Sequence, residues 1–254
     1  LWVNNAFSSV FARFIDMGID EFTRTTEVTY LGFVHGTKAA LTRMLPRDRG
    51  TIVQVGSALS KRAIPLQSAY CGSKHAIRGF TDSLRAELLH DGSAVTLSHV
   101  YLPALNTPQF GWSRTKMERA PQPTPPAHKP ELAANAIVFA AENPRREVWV
   151  SRQTVQMMGA DMLAPGLLDR VLAREGYSGQ LSAEPVPPNR PDNLDAPVPG
   201  HQATEGPYRG PMRATTTEFF TSRHRDALAL GAGLVMAAGI GALGLLANRA
   251  RRLR

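Results

Sequence analysis

Along the first 178 residues, short runs of apolar and β-branched residues alternate with longer amphipathic stretches, the pattern of strands and helices taking turns in a parallel sheet. Thr51-Ile52-Val53-Gln54-Val55 reads as a buried strand closing on Gly56-Ser57. A loop carrying Pro65 follows, and then SAYCGSKHAIRGFTDSLRAELLH reads as one long helix with Ala76, Phe80, Leu84 and Leu88 on a common face. Leu1-Trp2-Val3 is apolar from the first residue, so the chain is expected to begin inside a strand.

The pattern breaks near residue 179. Gly179 to Arg213 carries eight prolines and almost no large apolar residues, which predicts an extended, flexible linker over 179–226. Ala227 to Ala247 is then 21 residues without a charged or polar side chain, long enough as a helix to cross a bilayer. A basic tail, 248–254, holds Arg249, Arg251, Arg252 and Arg254. This predicts a C-terminal hydrophobic, membrane-associating helix, either spanning or interfacial. Ala229, Gly233, Ala237 and Gly241 recur every four residues, a spacing that permits helix pairing and a homo-oligomer. GIGALG, from Gly239 to Gly244, matches a dinucleotide fingerprint only formally, because no strand precedes it and too little chain follows. Arginines flank the segment equally, so charge leaves its orientation open.

Composition excludes wholesale disorder, with 43% hydrophobic and 20% charged residues. The net charge of +8 divides into +5 scattered over 1–178 and +3 beyond, with no aromatic-interleaved basic stripe, so nucleic-acid binding is not expected. One cysteine, Cys71, excludes an internal disulfide, and the seven histidines lack metal-ligand spacing, so no metal is expected.

The chemistry concentrates between residues 51 and 90. Ser57 ends a strand, where parallel α/β sheets place ligands, and Tyr70 and Lys74 are four apart on one helix face. A lysine ammonium about 5 Å from a phenol, at an effective dielectric of about 20, favours the phenolate by roughly 3 kcal/mol. Ser57 can donate to a carbonyl oxygen while Tyr70 transfers a proton, which suits interconversion of an alcohol and a carbonyl.

GSALSKRAIPLQSAYCGSK, with thirteen positions from Ser57 to Tyr70, resembles the active-site segment of the short-chain dehydrogenase/reductase family, and HAIRGFTDSLRAEL extends the likeness. The resemblance implies a doubly wound, Rossmann-type parallel sheet and an NAD- or NADP-dependent oxidoreductase acting on a small alcohol or carbonyl substrate. It makes Tyr70 the general acid/base, Ser57 the group that orients the substrate, and Lys74 both the residue lowering the tyrosine pKa and a ligand of the nicotinamide ribose. Val3-Asn4-Asn5-Ala6 resembles the family's Asn-Asn-Ala-Gly stretch, implying cofactor roles for Asn4, Asn5 and Ala6, with Phe7 where glycine is usual. Pro103 and Thr107 resemble the loop that touches the nicotinamide, with Ala104 in place of glycine. Thr29 stands where the family has an asparagine, its hydroxyl able to hold a water. Residues 105–129 fall where the family covers its substrate.

The likeness covers the later part of such a domain, and nothing corresponds to the Gly-rich pyrophosphate turn. The expectation is therefore a domain over 1–178 lacking its first strands, a fragment binding cofactor poorly when alone. Its need for soluble cofactor puts the catalytic domain on the cytoplasmic side of a membrane. The rival reading is a membrane-tethered binding or scaffold protein that keeps the fold without catalysis.

Overall fold

The computed structural model describes residues 1–200, 203–225, 227, 228 and 230. Its centre is a four-stranded parallel sheet in which β1 (Trp2–Asn4), β2 (Thr51–Ser57), β3 (Thr96–Leu102) and β4 (Glu147–Trp149) lie side by side in sequence order. Between β1 and β2 run α1 (Ile19–Thr26) and α2 (Gly32–Met44), joined by a π-helical turn over Glu27–Leu31. Helix α3 (Ser68–His90) connects β2 to β3, and α4 (Pro130–Glu142) connects β3 to β4. Proline at the first position of α4 and Glu131 in its first turn suit a helix start, where an N–H is not needed and negative charge is favoured.

Side-chain alternation along the strands sorts the core into two layers. Val53, Val55, Val100 and Leu102 face α4, where they meet Leu132, Ala136 and Phe139. Ile52 and Leu97 face the other way, onto Ala40, Leu41 and Met44 of α2 and Leu88 of α3. The polar residue in the middle of β2, Gln54, is fully buried on this second face and pairs with Asn4 at 2.8 Å and Thr37 at 3.0 Å. Satisfied in this way, it costs the core little.

The long helix is present, but its buried face differs from the expected stripe. Ala69, Ser73, Ile77, Thr81 and Leu88 are buried, whereas Ala76, Phe80 and Leu84 are only half-buried. The reason is tertiary. Helix α3 is wedged between the sheet and the α1–π-turn segment, and Phe80 lies at the border, edge-on to Tyr30 at 6.5 Å.

The chain beyond residue 178 corrects the linker expectation. After α5 (Arg152–Leu163) and α6 (Pro165–Glu175), Leu181–Pro185 pairs antiparallel with Arg119–Pro121, and Met212–Arg213 pairs parallel with Ala127–His128. Leu194 is 2% exposed among Val10, Ala12 and Met17, and Phe219 of α7 (Thr217–Arg223) packs edge-on against Phe139 in the main core. A Pro-rich strand needs few backbone donors. It is held here by side chains reaching neighbouring carbonyls and by two isolated apolar plugs, so residues 179–200 and 203–225 form a strap on the domain.

Apart from Ala227, Leu228 and Leu230, the expected membrane helix over 227–247, with its small-residue stripe, and the tail over 248–254 lie outside the described residues. Among the described residues no helix is long and apolar enough to cross a membrane.

Candidate active site

Strand β2 delivers Ser57 to the C-terminal edge of the sheet through Gly56. A Cβ at Gly56 would stand 2.0 Å from the Nε2 of buried His99, so only glycine fits between the two strands. Ser57 then caps a short helical turn: its Oγ accepts from the Leu59 amide at 3.1 Å, and its own amide donates to the Ser60 Oγ at 3.2 Å. The loop that follows is fastened by Arg62, which pairs with Asp161 of α5 at 2.6 Å and with Asp169 of α6.

Helix α3 begins at Ser68, so Tyr70 lies in its first turn and Lys74 one turn later. The Tyr70 hydroxyl lies in the same cavity as the Ser57 side chain, close enough for the serine to favour the phenolate. Lys74 is 2% exposed and donates from Nζ to the Val55 carbonyl of β2 at 2.8 Å. Its Nζ stands 5.6 Å from the centre of the Tyr70 ring, 5.7 Å from that of Phe7 and 4.8 Å from that of Phe33. The three residues singled out by spacing are thus brought together.

Their electrostatics differ from the expectation. Burial holds the Tyr70 phenol well above its ordinary value, and the Ser57 side chain pulls against it. Burial also lowers Lys74 from 10.5 to about 7. The downward pull on Tyr70 comes from Ser57, because the lysine is turned to a backbone carbonyl and loses charge in the same apolar surroundings. Cys71, next in the helix, is buried with its thiol pushed up to about 11 by burial, as suits an inert small side chain.

Asn5, Ala6, Pro103 and Thr107 line one cavity of about 650 Å³ with Ser57, Tyr70 and Lys74. Asn4 is placed elsewhere. It is 6% exposed behind the site, accepting from Trp2 Nε1 at 2.7 Å and donating to Thr37 at 3.0 Å and Gln54 at 2.8 Å, so it ties β1 to α2 and β2. This replaces the direct cofactor role expected of it: a side chain on the inner face of β1 cannot also face the cavity. Thr29 is also bonded to the backbone. Its hydroxyl donates to the Ser8 carbonyl at 2.9 Å and accepts from the Ser8 amide at 3.0 Å, pinning the π-turn to the chain that follows Phe7. Buried, with its donor and one acceptor site used on the Ser8 backbone, the hydroxyl serves as a structural tie.

Phe7 fills the place expected for glycine and packs edge-on against Tyr70, ring centres 5.5 Å apart. The expected covering segment supplies Phe110, Trp112 and Gln122 to the cavity wall. Sequence reasoning missed Thr154, Met157, Leu172, Gln180 and Asn193, which arrive from α5, α6 and the strap. Nothing local in the sequence marks them, since only the tertiary packing of α5, α6 and the strap brings them to the cavity.

The residues present fit the nicotinamide end of a dinucleotide. A buried lysine, a serine–tyrosine pair and the Pro103–Thr107 loop converge on one cavity of sufficient size. On the far side of the sheet, β1 is an edge strand with Leu1 70% exposed, and no group for a pyrophosphate or adenine is assigned among the described residues.

Residues 1–118 match the short chain dehydrogenase family. A relative from Bacillus subtilis, "Uncharacterized oxidoreductase YxnA", is 31% identical over 223 residues, covering 84% of this chain and 60% of that protein. The human "Dehydrogenase/reductase SDR family member 7" is 43% identical over 86 residues, 34% of this chain and 25% of the relative. The chain thus spans less than two thirds of these curated relatives' own length. Among solved structures, a short-chain dehydrogenase from Streptomyces avermitilis superimposes with a TM-score of 0.52 at 23% identity, over 69% of this chain and 67% of that one, a likeness of fold. Over residues 1–118 the sequence is similar to the short-chain dehydrogenase/reductase family, and the parallel-sheet fold is that of its solved members.

Proposed function

We propose that the chain carries the catalytic part of an oxidoreductase that uses NAD or NADP to interconvert a small alcohol and its carbonyl compound. The observation that supports this most is the convergence of Ser57, Tyr70 and Lys74 on one cavity, with the Lys74 Nζ buried 5.6 Å from the centre of the tyrosine ring. When bound, the nicotinamide supplies or accepts the hydride. Tyr70 gives its proton to the substrate oxygen, or takes it back in the reverse direction. Ser57 donates a hydrogen bond to the same oxygen and fixes it against the phenol. Lys74, when protonated, favours the phenolate that forms, its Nζ being 5.6 Å from the centre of the Tyr70 ring. Lys74, Asn5, Pro103 and Thr107 hold the nicotinamide end.

Because burial keeps Tyr70 protonated in this structure, carbonyl reduction is the direction for which the site stands ready at neutral pH. Apolar walls of Phe7, Phe11, Phe110 and Trp112 favour a neutral substrate. The apolar segment over 227–247 associates the protein with a membrane, and retention in the pellet after a carbonate wash is the expected result.

The test compares cofactor-dependent reduction of a carbonyl panel by the wild type and by Tyr70→Phe. Loss of at least a hundredfold in kcat is expected when the acid is removed. Turnover unchanged in Tyr70→Phe would sink the assignment of Tyr70 as the acid, and none by the wild type with either cofactor would favour the scaffold reading.

A further inference from the structure

The cavity that holds Tyr70 has a second polar feature, and the strap supplies it. Asn193 lines the cavity, and its Oδ1 is buried without a hydrogen-bond partner among the described residues. A buried amide oxygen left unpaired is costly, and folds retain such atoms where a ligand completes them.

The residues around Asn193 are all fastened. The Arg190 guanidinium donates to the carbonyls of Phe110 at 2.7 Å, Gly111 at 3.1 Å and Ser113 at 2.6 Å. Asp192 takes two hydrogen bonds from Arg114, both 3.1 Å, and accepts from the Leu194 amide at 3.1 Å. Leu194 is plugged into the core, and the Asn193 amide itself donates to the Trp112 carbonyl at 3.0 Å. Asn193 is therefore held at the cavity wall by its neighbours, beside the Phe110–Trp112 turn. Little freedom remains for its side chain to swing out and find water.

The rest of the wall defines what enters. Lys74 is the one charged residue lining the cavity among the described residues, and it is engaged with Val55. A second buried polar atom, the Thr154 hydroxyl, also lines the cavity without a partner. The carbonyl one turn before it, Val150, accepts instead from Thr216 of the strap.

We propose that Asn193 determines substrate specificity by accepting a hydrogen bond from the substrate. The substrate class is then a neutral, mainly apolar carbonyl compound or alcohol carrying a hydrogen-bond donor besides its reacting group. The proposal rests on the oxidoreductase reading for the word substrate, and on the cavity alone for the binding.

The experiment uses the full chain and a matched pair of ketones, phenylcyclohexanone and its para-hydroxyphenyl analogue. Binding is read from the change in intrinsic tryptophan fluorescence on titration, Trp112 being the tryptophan in the cavity wall, and needs no turnover. The wild type is expected to prefer the hydroxylated ketone by about tenfold, the worth of one good hydrogen bond. Asn193→Leu brings the two affinities within about twofold of each other by weakening only the hydroxylated ketone. Asn193→Asp, which keeps an acceptor, retains the preference, a result that a merely structural role would not give. Equal affinities in the wild type, parallel weakening of both ketones in both variants, or no binding of either ketone would overturn the proposal. A preference without turnover leaves Asn193 assigned and defeats the oxidoreductase reading, whereas turnover without a preference does the reverse.

Discussion

Replacing Lys74 with methionine should stabilise the fold at neutral pH while abolishing turnover. Lys74 is 2% exposed, and burial lowers it from 10.5 to about 7. At about 1.4 kcal/mol per pH unit, that gap is a penalty of about 5 kcal/mol for keeping the ammonium in the fold. The sign follows from proton counting. Between the two values the unfolded chain holds a proton that the folded chain does not, so wild-type stability rises with pH across this window. Below about pH 7 both states are charged and the full penalty applies. Methionine has a similar length and carries no charge, but it deprives the Val55 carbonyl of the 2.8 Å hydrogen bond, a loss of about 1–2 kcal/mol. The variant should thus be more stable by about 3 kcal/mol near pH 6.5, and its advantage should shrink by about 1.4 kcal/mol per pH unit from about pH 7 to pH 9. Urea unfolding at several pH values, with matching m-values, measures this directly. A variant no more stable near pH 6.5, or a difference that ignores pH, refutes the argument that Lys74 is held against its own desolvation.

Three further outcomes follow from contacts elsewhere. Gly56→Ala must push its Cβ against His99, which stands 2.0 Å away, so a loss of about 2–3 kcal/mol in urea unfolding is expected, with turnover falling as Ser57 shifts. Thr29→Val keeps the shape but leaves both backbone groups of Ser8 without their 2.9 Å and 3.0 Å partners, costing about 2–3 kcal/mol in the same assay. Phe219→Ala empties a core site beside Phe139 and should cost about 3 kcal/mol, whereas an unfolded linker would show no change.

The central chemistry was legible because it is local. A strand ending in Gly56-Ser57 and a tyrosine and lysine one helical turn apart are features of spacing, and the structure places all three at one cavity. Asn4 was misread because adjacent strand residues face opposite ways, and only the packed sheet shows that Asn4 looks inward at Gln54 while Asn5 reaches the cavity. The strap was illegible for a different reason. Its attachment depends on Arg190 meeting three carbonyls and on Leu194 and Phe219 as isolated plugs, contacts that leave no hydrophobic period. Proline content was a true sign of extended backbone and a poor guide to whether that backbone is held.

The account's central claim is that Tyr70 protonates a substrate oxygen during hydride transfer from a nicotinamide. The most direct measurement supplies dihydronicotinamide cofactor deuterated at its transferable position, with a ketone, and follows the label by mass spectrometry. Deuterium on the carbinol carbon with the wild type, and none above background with Tyr70→Phe, is the predicted result. Equal labelling by both proteins would contradict it.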